Sequence, residues 1–130
     1  WLESPNGRVK LLDFGLARQR DESVNLTGKG LVVGTPAYMS PEQARGLPLD
    51  ARSDLFSLGV VLYQLCTGRM PFTGDTPMAV LTALAVDHPV PVRQWNPRTP
   101  EPLAALVHRL LAKRPAARPP TAAAVAEELK

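Results

Sequence analysis

The 130-residue sequence has little of several residue types, and each shortage excludes a class of protein. Cys66 is the only cysteine, which excludes an internal disulfide, and His88 and His108 are too far apart in sequence for a Cys/His zinc motif. The 15 basic and 12 acidic residues are scattered, whereas a nucleic-acid footprint needs clustered positive charge. No apolar run approaches the ~18 residues of a membrane span. We therefore expect a cytoplasmic chain with no nucleic-acid partner and no membrane segment.

Proline, in contrast, is abundant, with 14 residues, about twice the usual share of ~5%. The composition as a whole, with 14 Pro and 9 Gly, excludes a coiled coil and a collagen-like chain. The apolar content of 45% is ordinary, which argues against wholesale disorder, and it is enough to bury a core. The sequence starts at Trp1, without Met and without the pattern of a signal peptide. We therefore expect a fragment of a longer protein.

The N-terminal third predicts a short hairpin followed by a long loop. Residues 1–3 and 8–12 have strand composition, and Asn6-Gly7 between them supplies the positive φ angles of a tight turn. Residues 13–38 show neither a helical nor an alternating period. Loops of this length are uncommon inside compact domains and are usually functional.

The remainder is typical of helices with capping residues and proline starts, so the expected fold is mainly α with about five helices. Residues 88–102 contain five prolines and are expected to form an irregular connection. The expected helices run from Ser40-Pro41 to Arg45, over 51–67, from Thr76-Pro77 to about Asp87, over 103–111, and from a Thr121 cap towards the C-terminus.

The helix over 51–67 is expected to be buried nearly all round its circumference. Apolar residues follow helical spacing along it, and further apolar residues widen the stripe. Cys66 falls among them, so we interpret it as an inert thiol rather than a redox switch. The first set is Leu55, Leu58, Val61, Leu62 and Leu65, and the second is Phe56, Val60 and Cys66.

The only dense basic run, from Lys113 to Arg118, is interpreted as a solvated helix end rather than a binding patch. His88 and His108 have no evident partner in the sequence and are assigned no role.

The first candidate for chemistry is Asp13-Phe14-Gly15, directly after the second predicted strand. A carboxylate at a strand end, followed by a flexible glycine, can offer a hard oxygen to a Mg²⁺ ion that bridges nucleotide phosphates. The tripeptide alone is also compatible with a plain turn.

Three more motifs follow in order: Gly34-Thr35-Pro36-Ala37-Tyr38-Met39-Ser40-Pro41-Glu42, Asp54-Leu55-Phe56-Ser57-Leu58-Gly59, and Arg118 within Arg114-Pro115-Ala116-Ala117-Arg118-Pro119. Together with Asp13-Phe14-Gly15 they closely resemble the protein kinase family in its bacterial serine/threonine form. The resemblance implies that residues 1–130 are a partial kinase domain, the helical C-terminal lobe from just after the catalytic loop to the last helix. Residues 13–42 then correspond to the activation segment.

The resemblance implies roles for several residues of this segment. Asp13 matches the metal-binding aspartate, and with Phe14 and Gly15 it belongs to the site for ATP and Mg²⁺. Gly34, Thr35 and Pro36 look like the stretch that docks a protein substrate, and Thr35 resembles serine/threonine rather than tyrosine kinases. Thr27 matches a position where related bacterial kinases carry an activating phosphothreonine, although Lys29 departs from the next such position. Ser23, Thr27 and Thr35 are the candidate phosphosites.

The resemblance also pairs Glu42 with Arg118. A carboxylate and a guanidinium 76 positions apart in sequence can form a bidentate, partly buried pair that ties the end of the loop to the last helices; two unrelated surface charges are the alternative. Asp54 resembles the aspartate that hydrogen-bonds the catalytic-loop backbone, and it is also compatible with a simple cap or dipole partner of its helix.

Other parts of a kinase are absent from these residues. The sequence contains no His-Arg-Asp, which would supply the base aspartate, and no glycine-rich loop followed by a lysine. We expect the fragment alone to be inactive and its parent to transfer the γ-phosphate of ATP to Ser or Thr of proteins. The alternatives are a pseudokinase or truncated scaffold that only binds partners and, more remotely, a helical adaptor.

Overall fold

The computed structural model describes residues 36–130 together with the strand residues 2–3 and 8–9. Strand β1 (Leu2–Glu3) pairs antiparallel with β2 (Arg8–Val9), and Leu2 lies opposite Val9. The predicted hairpin is therefore present, while its Asn6-Gly7 turn lies outside the described residues.

The described part of the chain is mainly helical, as predicted, with six α-helices rather than about five. A 3-10 helix at Pro36–Tyr38 occupies the end of the stretch predicted as loop, and a second one spans Pro115–Ala117. The α-helices are α1 (Pro41–Ala44), α2 (Arg52–Thr67), α3 (Pro77–Val86), α4 (Val92–Trp95), α5 (Glu101–Leu110) and α6 (Ala122–Glu128).

The predicted capping residues start three of these helices. Each cap oxygen accepts a hydrogen bond from the backbone N–H three residues ahead, which satisfies a donor that the helix leaves unpaired. These bonds measure 3.3 Å at Ser40, 3.1 Å at Thr76 and 3.1 Å at Thr121. Gly68 ends α2 with a φ of 70°, a left-handed conformation that favours glycine.

The expectation of an irregular connection over 88–102 is wrong, because α4 lies inside it and α5 begins at Glu101. Tertiary bonds hold this short helix at both ends. The Val92 N–H donates to Nε2 of His108 at 3.1 Å, and the Asn96 side chain donates to the Cys66 carbonyl at 2.9 Å. His108 thus has the partner that the sequence did not reveal.

Helix α2 forms the centre of the core and packs directly on α5. Phe56, Val60 and Tyr63 are fully buried on one side of α2. A Cβ on Gly59 would lie 2.7 Å from Leu110 Cβ, so the two helices approach as closely as glycine allows.

The expectation that α2 is buried all round is also wrong. Its opposite side is exposed, and Leu65 reaches 76% exposure. Leu58 and Val61, at positions of the same predicted stripe, are exposed as well.

Candidate functional site

A buried polar cluster in the described residues joins Glu42 at the start of α1 to Arg118 after the second 3-10 helix. The guanidinium donates to both carboxylate oxygens, with 2.7 Å from Nη1 to Oε1 and 2.8 Å from Nη2 to Oε2. The Arg118 side chain is fully buried, and that of Glu42 is 5% exposed. The structure therefore brings the sequence-predicted pair together in bidentate geometry, across 76 positions.

Arg118 uses its remaining donors on backbone carbonyls. A guanidinium has five N–H groups in a fixed fork, and five hydrogen bonds are made here, two to Glu42 and three to carbonyl oxygens. The interpretation of this run as a solvated helix end is wrong for Arg118, which links three separate stretches of chain. The carbonyls belong to Arg52 (2.8 Å), Ala112 (2.8 Å) and Lys113 (3.2 Å).

Ser53, which sequence reasoning missed, completes the surroundings of Glu42. Its hydroxyl donates to Glu42 Oε1 at 2.7 Å. Burial raises the pKa of the Glu42 carboxyl, but hydrogen bonds from Arg118 and Ser53 outweigh it, and the pKa falls to about 2. Glu42 is therefore ionised at neutral pH, as the pair requires.

Two cationic side chains, Arg45 and Lys113, bind backbone carbonyls at the C-terminal end of α3. Nζ of Lys113 donates to the Leu84 carbonyl at 2.7 Å and lies 3.7 Å from the centre of the Phe72 ring. Arg45 Nη2 donates to the Ala85 carbonyl at 3.3 Å. Carbonyls at a helix C-terminus lack intrahelical partners and carry partial negative charge, so cations stabilise them. Lys113 is thus not a solvated side chain, contrary to the prediction.

Tyr38 is held by α2 at two points. The Ser57 hydroxyl donates to the Tyr38 carbonyl at 2.8 Å, and the Tyr38 hydroxyl donates to Oε1 of Gln64 at 3.0 Å. Neither Ser57 nor Gln64 was a predicted site residue, because a neutral polar side chain on a helix gives no signal in a single sequence beyond a solvent-facing position.

Asp54 lies in the first turn of α2 and is exposed. It does not cap the helix, since the N-cap is Ala51, without a side-chain bond, and Asp50 Oδ1 accepts the N–H of Arg52 at 2.8 Å.

Most of the residues predicted to touch nucleotide or substrate lie outside the described residues. Pro36 is the exception, and it begins the first 3-10 helix. The others are Asp13, Phe14, Gly15, Gly34 and Thr35, and the candidate phosphosites Ser23 and Thr27 lie outside the described residues as well.

Three further observations concern the described residues alone. No cluster of His, Cys, Asp and Glu among them could hold a metal ion, and none of their helices is both long and apolar enough to cross a bilayer. Cys66 is half-buried beside the core, and burial raises the pKa of its thiol. Both properties agree with an unreactive side chain.

Comparison with known sequences assigns the class. The sequence model of the protein kinase domain matches residues 2–129. The chain therefore belongs to the protein kinase family, as the ordered motifs predicted.

Among curated relatives, the chain is 48% identical over 128 residues to the serine/threonine-protein kinase PknB of Mycolicibacterium smegmatis, covering 97% of this chain and 20% of that protein. It is 46% identical over 127 residues to the serine/threonine-protein kinase pkn3 of Myxococcus xanthus, covering 94% and 23%. The chain thus spans about a fifth of the length of these relatives. Among solved structures, the twitchin kinase region from C. elegans matches 64% of this chain and 15% of its own, with a TM-score of 0.60 at 26% identity.

Proposed function

We propose that this chain is the C-terminal-lobe portion of a serine/threonine protein kinase, with residues 13–42 as its activation segment. The observation that carries the proposal is the buried Glu42–Arg118 pair, which fastens the end of that segment to the helical core with two charge-assisted hydrogen bonds. Family membership and relatives named serine/threonine-protein kinases support it.

The intact kinase would act in the cytoplasm, with ATP and Mg²⁺, on Ser or Thr of protein substrates. Asp13 offers the hard oxygen ligand that Mg²⁺ prefers, and the metal would neutralise charge on the transferred phosphate. Phe14 and Gly15 would complete this part of the nucleotide site. Gly34, Thr35 and Pro36 would dock the substrate residue that follows the acceptor Ser or Thr.

The 130 residues by themselves lack the group that would orient and deprotonate the acceptor hydroxyl. No His-Arg-Asp occurs among them, and no glycine-rich loop precedes a lysine to cover the phosphates. The chain alone is therefore expected to transfer no phosphate, while a kinase domain that joins it to those parts is expected to be active.

The test is a phosphotransfer assay with γ-labelled ATP and casein as a general acceptor. The intact kinase should label casein on Ser or Thr, and Asp13→Ala should reduce labelling to background. Asp75→Ala, at an exposed position outside the motifs in sequence, should leave labelling unchanged. The 130-residue chain should give only background. An intact kinase that binds proteins but labels none would contradict the proposal and favour a scaffold.

A further inference from the structure

The side of α2 that faces residues 38–42 carries a row of neutral polar side chains. The row consists of Ser53, Ser57 and Gln64, and the last two follow Ser53 by four and eleven residues. At about 100° per residue these spacings place them within roughly 40° of one another around the helix. A row of this kind can bond several groups of one adjacent segment.

Each member of the row bonds one group of the segment that ends at Glu42. Gln64 accepts from the Tyr38 hydroxyl at 3.0 Å, Ser57 donates to the Tyr38 carbonyl at 2.8 Å, and Ser53 donates to the Glu42 carboxylate at 2.7 Å. The row therefore follows the segment from its proposed docking end to its anchored end.

Ser57 is the member of the row that contacts the backbone closest to Pro36. Its hydroxyl also lies 3.4 Å from the Ser53 carbonyl, but a hydroxyl has one proton, and the 2.8 Å distance to Tyr38 is the better hydrogen bond. Because this bond is made to a backbone carbonyl, it fixes the path of the main chain and not only the position of a side chain.

The backbone fixed by Ser57 is continuous with the proposed docking residue Pro36 through a closed turn. The Met39 N–H donates to the Pro36 carbonyl at 3.2 Å, and residues 36–38 form a 3-10 helix. The proline ring restricts φ of Pro36 further. Because the turn is short and internally bonded, displacement of Tyr38 is transmitted to Pro36.

Helix α2 is a rigid support for this contact. Phe56 and Val60, on either side of Ser57 in sequence, are fully buried, and Gly59 lies directly against α5. The hydroxyl of Ser57 is therefore fixed in relation to the core.

From these contacts we infer that Ser57 is a positioning residue for the protein substrate, which sets the place of Pro36 through the Tyr38 carbonyl. The inference rests on the proposed function. It predicts an effect on the acceptor protein and none on ATP, because the bond acts on the docking turn.

Steady-state kinetics of the intact kinase, with casein and ATP varied separately, test the inference. Ser57→Ala should raise the KM for casein by roughly fivefold, the effect of losing one neutral hydrogen bond, with the KM for ATP and kcat within about twofold of the parent. Ser57→Thr, which keeps the hydroxyl, should restore the lower KM. Thr82→Ala is the matched control, because Thr82 donates only within its own helix, to the Met78 carbonyl at 2.9 Å.

The outcomes separate this inference from the proposed function. A parent enzyme without phosphotransfer refutes the proposed function and, with it, the inference. An active parent whose Ser57→Ala variant keeps its KM for casein, or changes both KM values in equal proportion, refutes the inference alone, because a residue that only stabilises the fold has no preference for one substrate.

Discussion

Glu42 shows how a single buried carboxylate depends on the groups around it. Burying an ion costs free energy because the ion loses its hydration water. Only a partner with good hydrogen-bond geometry, together with further hydrogen bonds, compensates for this cost. Arg118 and Ser53 both provide such bonds. Breaking the pair by removing one partner leaves an uncompensated buried charge, so the stability of the fold should be sensitive to this residue.

We expect Glu42→Gln to lower the free energy of unfolding by about 3 to 5 kcal/mol at pH 7. Urea unfolding followed by circular dichroism measures this. Glu101→Gln is the matched control, because Glu101 is exposed and pairs with Arg93 at 3.2 Å, and exposed pairs contribute only ~0–1 kcal/mol. Equal effects of the two substitutions would contradict the importance assigned to burial.

The pH dependence of the same pair has a defined sign. The pKa of Glu42 falls from its ordinary 4.5 to about 2 in the folded chain. Folding therefore favours the ionised form, and the stabilisation is present above pH 4.5 and is lost as the pH falls towards 2. Glu42→Gln should make stability less dependent on pH in this window than the parent is.

Lys113 gives a pH dependence of the same sign, but in an alkaline window. Burial lowers its pKa from 10.5 to about 8, so between these values the unfolded chain binds a proton that the folded chain does not, and stability rises with pH. We expect Lys113→Met to reduce this rise, measured by urea unfolding at pH 7.5 and 10. Lys130→Met, at an exposed lysine, should leave the rise intact; loss of it there would contradict the assignment to Lys113.

At the scale of elements, the crossing of α2 and α5 depends on the absence of a side chain. Gly59→Ala would place a Cβ 2.7 Å from that of Leu110, and such overpacking costs about 1 to 3 kcal/mol. Urea unfolding of the variant measures this loss. Gly68→Ala is the comparison: open space surrounds Gly68, and only its φ of 70° opposes a side chain. A neutral or stabilising Gly59→Ala would show that the helices can separate at little cost.

Local signals predicted the helix ends, whereas contacts between distant residues decided the rest. Ser40, Thr76, Thr121 and Gly68 act within one turn of chain, so the sequence is sufficient to place them. Which side of α2 is buried depends on where α5 packs, so the periodicity of α2 could not predict it. The presence of α4 could not be predicted from periodicity either, because hydrogen bonds to His108 and Cys66 hold this helix.

The residues of the candidate site likewise fall into those that the sequence predicted and those that it did not. Glu42 and Arg118 were predicted through the family resemblance and through the chemistry of a carboxylate and a guanidinium, since no local pattern joins residues 76 positions apart. Ser53 and Ser57 were missed because a serine on a helix looks the same whether it faces water or a neighbouring segment. Only the packed arrangement distinguishes the two.

At the scale of the whole molecule, regulation of the proposed kinase should converge on the activation segment. Phosphorylation adds about −1.5 to −2 charges and can order a loop against arginine side chains. We expect the intact kinase to autophosphorylate on Thr27, detected by mass spectrometry, and Thr27→Ala to lower its activity. Thr73→Ala, an exposed threonine outside the segment, should have no effect. Phosphate found only outside residues 13–42 would contradict this prediction.

The buried Glu42–Arg118 pair also affects the rate at which the protein unfolds. Contacts between residues far apart in sequence form only after the intervening chain has lost its conformational entropy, so they tend to be absent from early folding stages. Interactions absent from the folding transition state act mainly on the unfolding rate. The pair, which spans 76 positions, should therefore slow unfolding and lengthen the lifetime of the folded state without accelerating folding.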